Sequence, residues 1–441
     1  MTVGMLAAMS TPPLPSSPQA TAVSRDRGDA CPGALRLHAA DDGALARIRI
    51  PGGVLGLRQA EALADAARHL GDGDLHLTSR GNVQLRGLRD SCGAELAGLL
   101  DSVGLLPSHA HDRVRNIVAS PLSGLDGGGK RDVRPWLESL DTALCRSEAV
   151  RELSGRFLFA LDDGRGDVAA LGADVTVRAA TGGALLGLGS AGEGWLVSAD
   201  DAARAALSAA EAFLDVARQN GVQVWRVDEL GIERDTLARA VRRRLSAAGI
   251  ACVEASRGAA RAEGPRPGVI GSALSVHAPL GRVTTAQWRE LIRAAARAQG
   301  GELRVTPWRG IVVPTPGASA ADTADALDRL ADTGLVTDAS SPWPRVGACI
   351  GRPGCGRSHS DVRTDAARAV AAVGRSRLPL YWSGCERRCG RPHGDRIDVV
   401  AAPDGGYHLT ETVRDRPPRT VPLNDPARLG TALATLTSSA V

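Results

Sequence analysis

Apolar residues alternate in short runs along this chain and then recur at helical spacing, and the same succession occurs twice. Arg47-Ile48-Arg49-Ile50 alternates as a strand does and ends in Pro51-Gly52-Gly53. Leu274-Ser275-Val276-His277-Ala278 does the same and ends in Pro279-Leu280-Gly281. An amphipathic stretch of helical period follows each, Leu57 to Leu70 and Thr285 to Gln299. Each copy then closes on a second extended run, Leu75 to Leu85 and Leu303 to Val313. Pro51 to Thr78 is 27 positions, as is Pro279 to Thr306, so one offset of 228 aligns the copies without a gap. A strand–helix–strand unit used twice predicts two half-domains on a pseudo-twofold axis. By alternation, Thr78, Arg80, Asn82 and Gln84 share one face of the first extended run.

The remaining elements fall between and after the copies. Arg156 to Leu161 reads as a strand and Asp201 to Gln219 as an Ala-rich helix. The Gly/Arg/Pro-rich stretch Arg257 to Pro267 reads as a linker. Beyond the second copy, a helix from Asp361 to Val373 lies between strands at Leu378–Trp382 and Ile397–Ala401. We therefore expect a leader over 1–30, half-repeats at 31–105 and 261–334, a central α/β unit at 106–260 and a C-terminal α/β unit at 335–441. The leader is rich in Pro, Ser, Ala and Thr without periodicity, which suits disorder. It lacks the basic region and continuous apolar run of a secretory signal. No segment approaches the roughly 18 apolar residues of a membrane span, and we expect a cytoplasmic protein without a membrane partner. A net charge of +4 gives no argument for nucleic acid.

Composition adds one chemical constraint. Lys130 is the only lysine; every other fixed cation is arginine. Genome composition accounts for much of this bias, yet the consequence is chemical. Arginine offers forked anion contacts and does not readily release protons, whereas lysine can.

The cysteines add another. Cys349 and Cys355 form Cys-x5-Cys and Cys385 and Cys389 form Cys-x3-Cys, while Cys31, Cys92, Cys145 and Cys252 are scattered singly as ordinary thiols. Four thiolates from two short loops can hold a 4Fe–4S cluster. Zinc knuckles prefer two to four intervening residues, and disulfides suit small secreted chains. Gly351, Gly354, Gly356, Gly384 and Gly390 let backbone N–H groups approach cluster sulfurs, and would equally make ordinary turns.

The cysteine spacing, the duplication and the run Thr78-Ser79-Arg80-Gly81-Asn82-Val83-Gln84-Leu85 resemble the sirohaem-type nitrite and sulfite reductase superfamily over roughly residues 35–430. The resemblance implies an α+β fold: duplicated ferredoxin-like half-repeats plus two α/β units, with a tetrapyrrole between them. It places Arg80, Arg115, Asn116 and Arg156 at the macrocycle, and Arg309, one place off Arg80 in the repeat alignment, as a further candidate. Fixed cationic forks are what the many carboxylates of such a ligand require. It also assigns Cys349, Cys355, Cys385 and Cys389 to the 4Fe–4S cluster.

Family reductases carry a Lys-x-Lys pair on the strand after the Arg-Asn segment; here Arg156 and Leu158 stand there. Arg156 to Gly164 and Gly384 to Gly390 resemble instead the precorrin-3B synthase subfamily, which takes the tetrapyrrole as substrate. That implies an O2-dependent monooxygenase of cobalamin biosynthesis, acting on precorrin-3A, with electrons from NADH through a reductase or from ferredoxin. A sirohaem-dependent reductase is the alternative. Oxygen activation leaves room for a mononuclear non-haem iron. His109-Ala110-His111-Asp112 offers a ligand-like group if it forms a strand with both imidazoles on one face; in a polar loop it would simply be solvated. His359, His393 and His408 stand alone.

Overall fold

The alternation before Pro51 becomes the strand Gly43–Ile48, and the helix that follows runs Leu57–Leu70 as its period predicts. The second copy forms Ala273–His277 and Thr285–Arg297. These elements come from a computed structural model that describes residues 29 and 31–438, apart from 232, 262, 299, 300, 377, 393 and 415. The leader, but for Asp29, and the helix end at Gln299 lie outside the described residues.

The offset of 228 holds in three dimensions. Pro51–Gly53 and Pro279–Gly281 both form tight turns with left-handed central residues, Gly52 at φ 62° and Leu280 at φ 54°. The short strands after them are exchanged. Val54–Gly56 of the first copy completes the sheet of the second, pairing Val54 with Arg304; Arg282–Thr284 of the second completes the sheet of the first, pairing Arg282 with His76. On the axis, the Trp288 indole donates to the carbonyl of Ala60, its own counterpart in the first copy, at 2.8 Å. Trp288, Leu63, Leu291 and Leu303 are fully buried in one core shared by both copies.

The extended runs differ from expectation. Each is a hairpin rather than one strand: Asp74–Leu77 and Val83–Leu88 in the first copy, Glu302–Val305 and Gly310–Pro314 in the second. Thr78 N–H donates to Asn82 O at 2.9 Å, and Thr306 N–H to Gly310 O at 2.9 Å. Gly81 turns the first chain at φ 66°; Arg309, its counterpart, takes φ 60°. Thr78, Arg80, Asn82 and Gln84 therefore do not share a strand face. Ser-Arg-Gly-Asn is turn chemistry, and it overrides the flanking apolar pattern.

Two mixed sheets form the α/β units. In the central one, Ile117–Ala119, Phe159–Asp162 and Val175–Ala180 run parallel, and three strands ending in Cys252–Ser256 extend it antiparallel. The helices Arg134–Arg146 and Ala202–Gln219 contribute to a core holding Phe157, Phe159 and Phe213. In the C-terminal unit, Val346–Ala348, Leu380–Ser383 and Arg396–Ala401 run parallel. The intervening helix is Val362–Ala369, capped by Asp361, and tightens into a 3-10 segment from Val370.

At the C-terminal end of Phe159–Asp162, Asp162, Asp163 and Asp167 are buried together. Burial pushes the Asp167 carboxyl up to about 7, Ser120 pulls it back, and the charge of Asp162 adds to the rise. The folded state thus holds a proton that the unfolded chain releases near its ordinary 3.8, so this group costs stability as pH rises from about 4 through 7. Asp167→Asn should gain unfolding temperature relative to the parent between pH 5 and 8; a constant gap would mean a carboxylate already ionised at pH 5.

Candidate functional site

The cysteines gather where parallel strands end. Val346–Ala348 and Leu380–Ser383 are neighbours, with Ala348 opposite Trp382, so Cys349 and the Gly384-Cys385 loop leave the sheet side by side. Gly384 N–H points at the Cys349 sulfur at 3.2 Å, and His359 N–H donates to Gly384 O at 2.8 Å. A Cβ on Gly384 would strike the Ser358 hydroxyl at 1.8 Å, so only glycine lets the two cysteine loops meet. Burial pushes the Cys349 thiol up, the N–H groups of Gly384 and Gly351 pull it back, and nearby Cys389 and Cys385 raise it further.

The loop carrying Cys355 is clamped from the first half-repeat. Asp41 accepts from Gly356 N–H at 2.6 Å; Arg86 forks onto Asp42 at 2.7 and 2.8 Å and donates to Gly354 O at 3.0 Å. Tyr381, fully buried, donates to Cys389 O at 2.6 Å, and Arg363 donates to Cys349 O at 3.2 Å. Burial and the like charges of Arg309 and Arg86 pull the Arg363 pKa down to about 10. All four cysteines are free thiols. Among the described residues, the Ser383 hydroxyl and Arg388 Nε, on the segment that carries Cys385 and Cys389, are buried without a partner, although other atoms of Arg388 reach Glu386 and Asp398; cluster sulfides could accept from both donors. Donor set, orphaned donors and N–H contact all fit a 4Fe–4S group.

A second locus lies where the first hairpin turn meets the central unit. Arg80 donates to Arg156 O at 3.0 Å. Its guanidinium is ringed by protein yet still reached by solvent, and burial with the like charges of Arg226 and Arg49 pulls its pKa down to about 9. Arg49, only 2% exposed, donates to Gly155 O and Arg113 O and leaves Nη1 without a partner. Arg47 and Arg49 both point at the Cys31 sulfur, at 3.4 and 3.3 Å. Arg156 lies over the Trp225 ring at 4.7 Å, and its strand begins only at Phe159, which puts Arg156 in the preceding turn and not in a strand. Asp174 offsets part of this charge through Arg226 at 2.6 Å. The result is a cluster of arginines, Arg80 and Arg156 open to solvent and Arg49 buried, whose charge suits carboxylates.

Asn116 supports the Arg80 turn from inside the protein. Fully buried, it accepts from Asn82 at 3.0 Å and donates to Phe157 O at 3.0 Å, while Asn82 accepts from Ile50 N–H. It ties the Arg80 turn to the central unit and keeps no group for a ligand. Arg115 is likewise spent: it forks onto Asp141 at 2.7 Å twice and donates to Leu105 O, lining a separate cleft of about 400 Å³ with Glu138 and Arg134. Arg309 is brought instead to the cysteines, with its guanidinium 5.7 Å from the Tyr381 ring centre.

The iron-ligand expectation at His109 and His111 is corrected. The segment is a 3-10 turn, not a strand, and the two rings have different partners. His109 is exposed and bonded to Asp101 at 2.9 Å; His111 is buried, between Ser108 and Ser147 O at 2.7 and 2.9 Å. Asp112 accepts from Ala34 and Leu35 N–H. His109→Ala should leave iron content and melting unchanged, whereas His111→Ala should cost about 1–3 kcal/mol through stranded partners; iron lost from either variant with stability intact would restore a ligand role.

Sequence reasoning missed Arg49, Tyr381, Arg363 and the Asp41–Asp42–Arg86 clamp. The alternation Arg47-Ile48-Arg49-Ile50 carried a signal for Arg49, a charge in a run that the fold buries. The others depend on contacts between distant segments.

Residues 38–101 and 271–332 match the sequence profile of the nitrite/sulfite reductase ferredoxin-like half domain. The chain is 28% identical over 394 residues to the ferredoxin–nitrite reductase of Synechococcus elongatus, covering 81% of this chain and 76% of that one. It is 25% identical over 413 residues to the precorrin-3B synthase of a Sinorhizobium species, covering 89% and 84%. It spans a smaller share, 65%, of the chloroplastic nitrite reductase of Betula pendula. Among solved structures, the NirA protein of Mycobacterium tuberculosis shares the fold with a TM-score of 0.68 over 88% of this chain and 79% of that one, at 19% identity.

Proposed function

We propose that this chain, whose two half domains match the nitrite/sulfite reductase ferredoxin-like profile, is a precorrin-3B synthase-like monooxygenase. One atom of O2 enters C20 of precorrin-3A as a hydroxyl and the other leaves as water, with two electrons and two protons from NADH through a reductase or from ferredoxin; a ring A acetate closes the γ-lactone. The observation that carries this reading is that the cations gathered at the first hairpin turn are all arginines. Arg80 and Arg156 reach solvent, Arg49 is buried, and Leu158, two residues from Arg156, is buried among Val118 and Ala160. The one lysine is elsewhere: Lys130 bonds through its N–H to Asp163 O at 2.6 Å, past the other end of the strand. Fixed guanidinium forks hold and orient carboxylates; they do not deliver the several protons that reduction of nitrite or sulfite consumes.

Cys349, Cys355, Cys385 and Cys389 would hold a 4Fe–4S cluster, which when bound passes single electrons. Arg80 and Arg156 would seat the macrocycle's carboxylates, with Asn116 and Asn82 fixing the turn that presents Arg80. The relative with the larger mutual coverage is a precorrin-3B synthase, which supports the reading.

Sirohaem-dependent nitrite reduction is the second reading, favoured by the 28% identity to a nitrite reductase. An absorption spectrum, iron assay and acid tetrapyrrole extraction of anaerobically purified protein separate the two. A cluster shoulder without sirohaem bands, followed by O2-dependent turnover of precorrin-3A, is the expected result. Extractable sirohaem would return the chain to the reductases.

A further inference from the structure

The two half-repeats hand one arginine each to opposite neighbours. The first turn sends Arg80 to the central unit; the second sends Arg309 to the C-terminal unit. The turns lie close together, since a Cβ on Gly81 would sit 3.0 Å from Val305 O and 3.8 Å from Pro307. Arg309 occupies the gap left by two glycines that flank the cysteines: a Cβ on Gly347 would come within 3.2 Å of Arg309 Nη1, and one on Gly390 within 3.9 Å of Nη2. Its backbone is left-handed, where the first copy uses Gly81. A non-glycine residue there costs about 1 kcal/mol or more, so the side chain is kept against a local penalty.

Arg363 stands beside it, and its hydrogen bond goes to the carbonyl of Cys349. Among the described residues neither arginine has a carboxylate partner, whereas nearby Arg86 is matched to Asp42. Two half-buried positive charges that repel each other and meet no anion are poised for one.

We infer that Arg309 and Arg363 are positioning charges for the four-cysteine site, placed to favour the arrival of an electron there, and that Arg309 does not serve as a carboxylate clamp for the macrocycle. This rests on the reading that the four cysteines hold a cluster. A cluster bound by four thiolates is anionic and gains one more negative charge on reduction. Fixed cations in a poorly screened site stabilise the reduced form more than the oxidised form.

The test is a reductive titration of the purified holoprotein without substrate, followed by electron paramagnetic resonance. At the potential where half the parent clusters are reduced, Arg309→Gln and Arg363→Gln should each lower the reduced-to-oxidised ratio about tenfold, which is about 59 mV for a one-electron couple. Arg309→Lys, which keeps the charge, should hold the parent ratio. An unmoved ratio in both glutamine variants with full clusters would overturn the inference. Should Arg309→Gln fail to load a cluster, retention in Arg309→Lys supports the charge, and loss from both counts against it. A parent protein without any cluster is a different result: it sinks the reading of the cysteines themselves.

Discussion

On the proposed reading of the four cysteines, Cys385→Ser should leave anaerobically purified protein without cluster absorption and with almost no iron, the fold intact. Cys385 follows the strand Leu380–Ser383, and its loop meets Cys349 and the Cys355 loop through the Gly384 contacts. Removing one thiolate of four leaves an iron without a strong ligand, and a serine hydroxyl, barely ionised at neutral pH, does not replace it. The C-terminal core lies behind the loops, around Trp382, Val399 and Leu409, all fully buried, so far-UV dichroism should not change. Cys252→Ser, on the edge strand of the central sheet, is the matched control and should keep its iron. Equal iron in both variants would remove the cysteines from the site.

Gly53→Ala should be strongly destabilising. Gly53 sits at φ 74°, and a Cβ there would lie 1.9 Å from Val305 O, on the hairpin with which the exchanged strand pairs. The left-handed strain costs about 1 kcal/mol, and a backbone carbonyl cannot swing aside as a side chain can, so the total is about 3 kcal/mol. That corresponds to roughly 6–12 °C in the first calorimetric transition. Gly73→Ala isolates the strain, since Gly73 is at φ 89° with nothing within 4 Å of its Cβ. Equal losses in the two variants would show that the close approach to Val305 carries no cost.

Much of this architecture was legible beforehand. The helix Leu57–Leu70 followed its period to the residue, because one face had to be buried and Gly56 and Gly71 bound it. The offset of 228 read from proline, glycine and threonine proved to be a symmetry of the packing. The hairpins were missed because Gly81 and Arg309 turn the chain inside runs whose flanks keep the apolar spacing of a strand on both sides. The exchanged strands could not be foreseen: Val54–Gly56 has only three residues and no pattern that names its partner.

At the candidate site, the proximity of the two cysteine loops was legible because each cysteine pair lies on one short segment beside a strand end. The arginines were less so. A sequence gives a guanidinium's position but not its partner, and Asp141 stands 26 residues from Arg115 yet neutralises it. Arg309 was paired with Arg80 by the repeat alignment, yet the second turn carries it to Tyr381 while the first carries Arg80 to Arg156.

The exchange of Val54–Gly56 and Arg282–Thr284 also sets an order on biosynthesis. As the chain leaves the ribosome, the first sheet lacks its edge until Thr284 has emerged, and Val54–Gly56 waits unpaired until Val305 follows. The intervening central unit has its own core and can close first, like a bead threaded between two open hands. A nascent chain arrested before residue 284 would therefore expose an unfinished β edge, a surface on which chaperones act and aggregates begin.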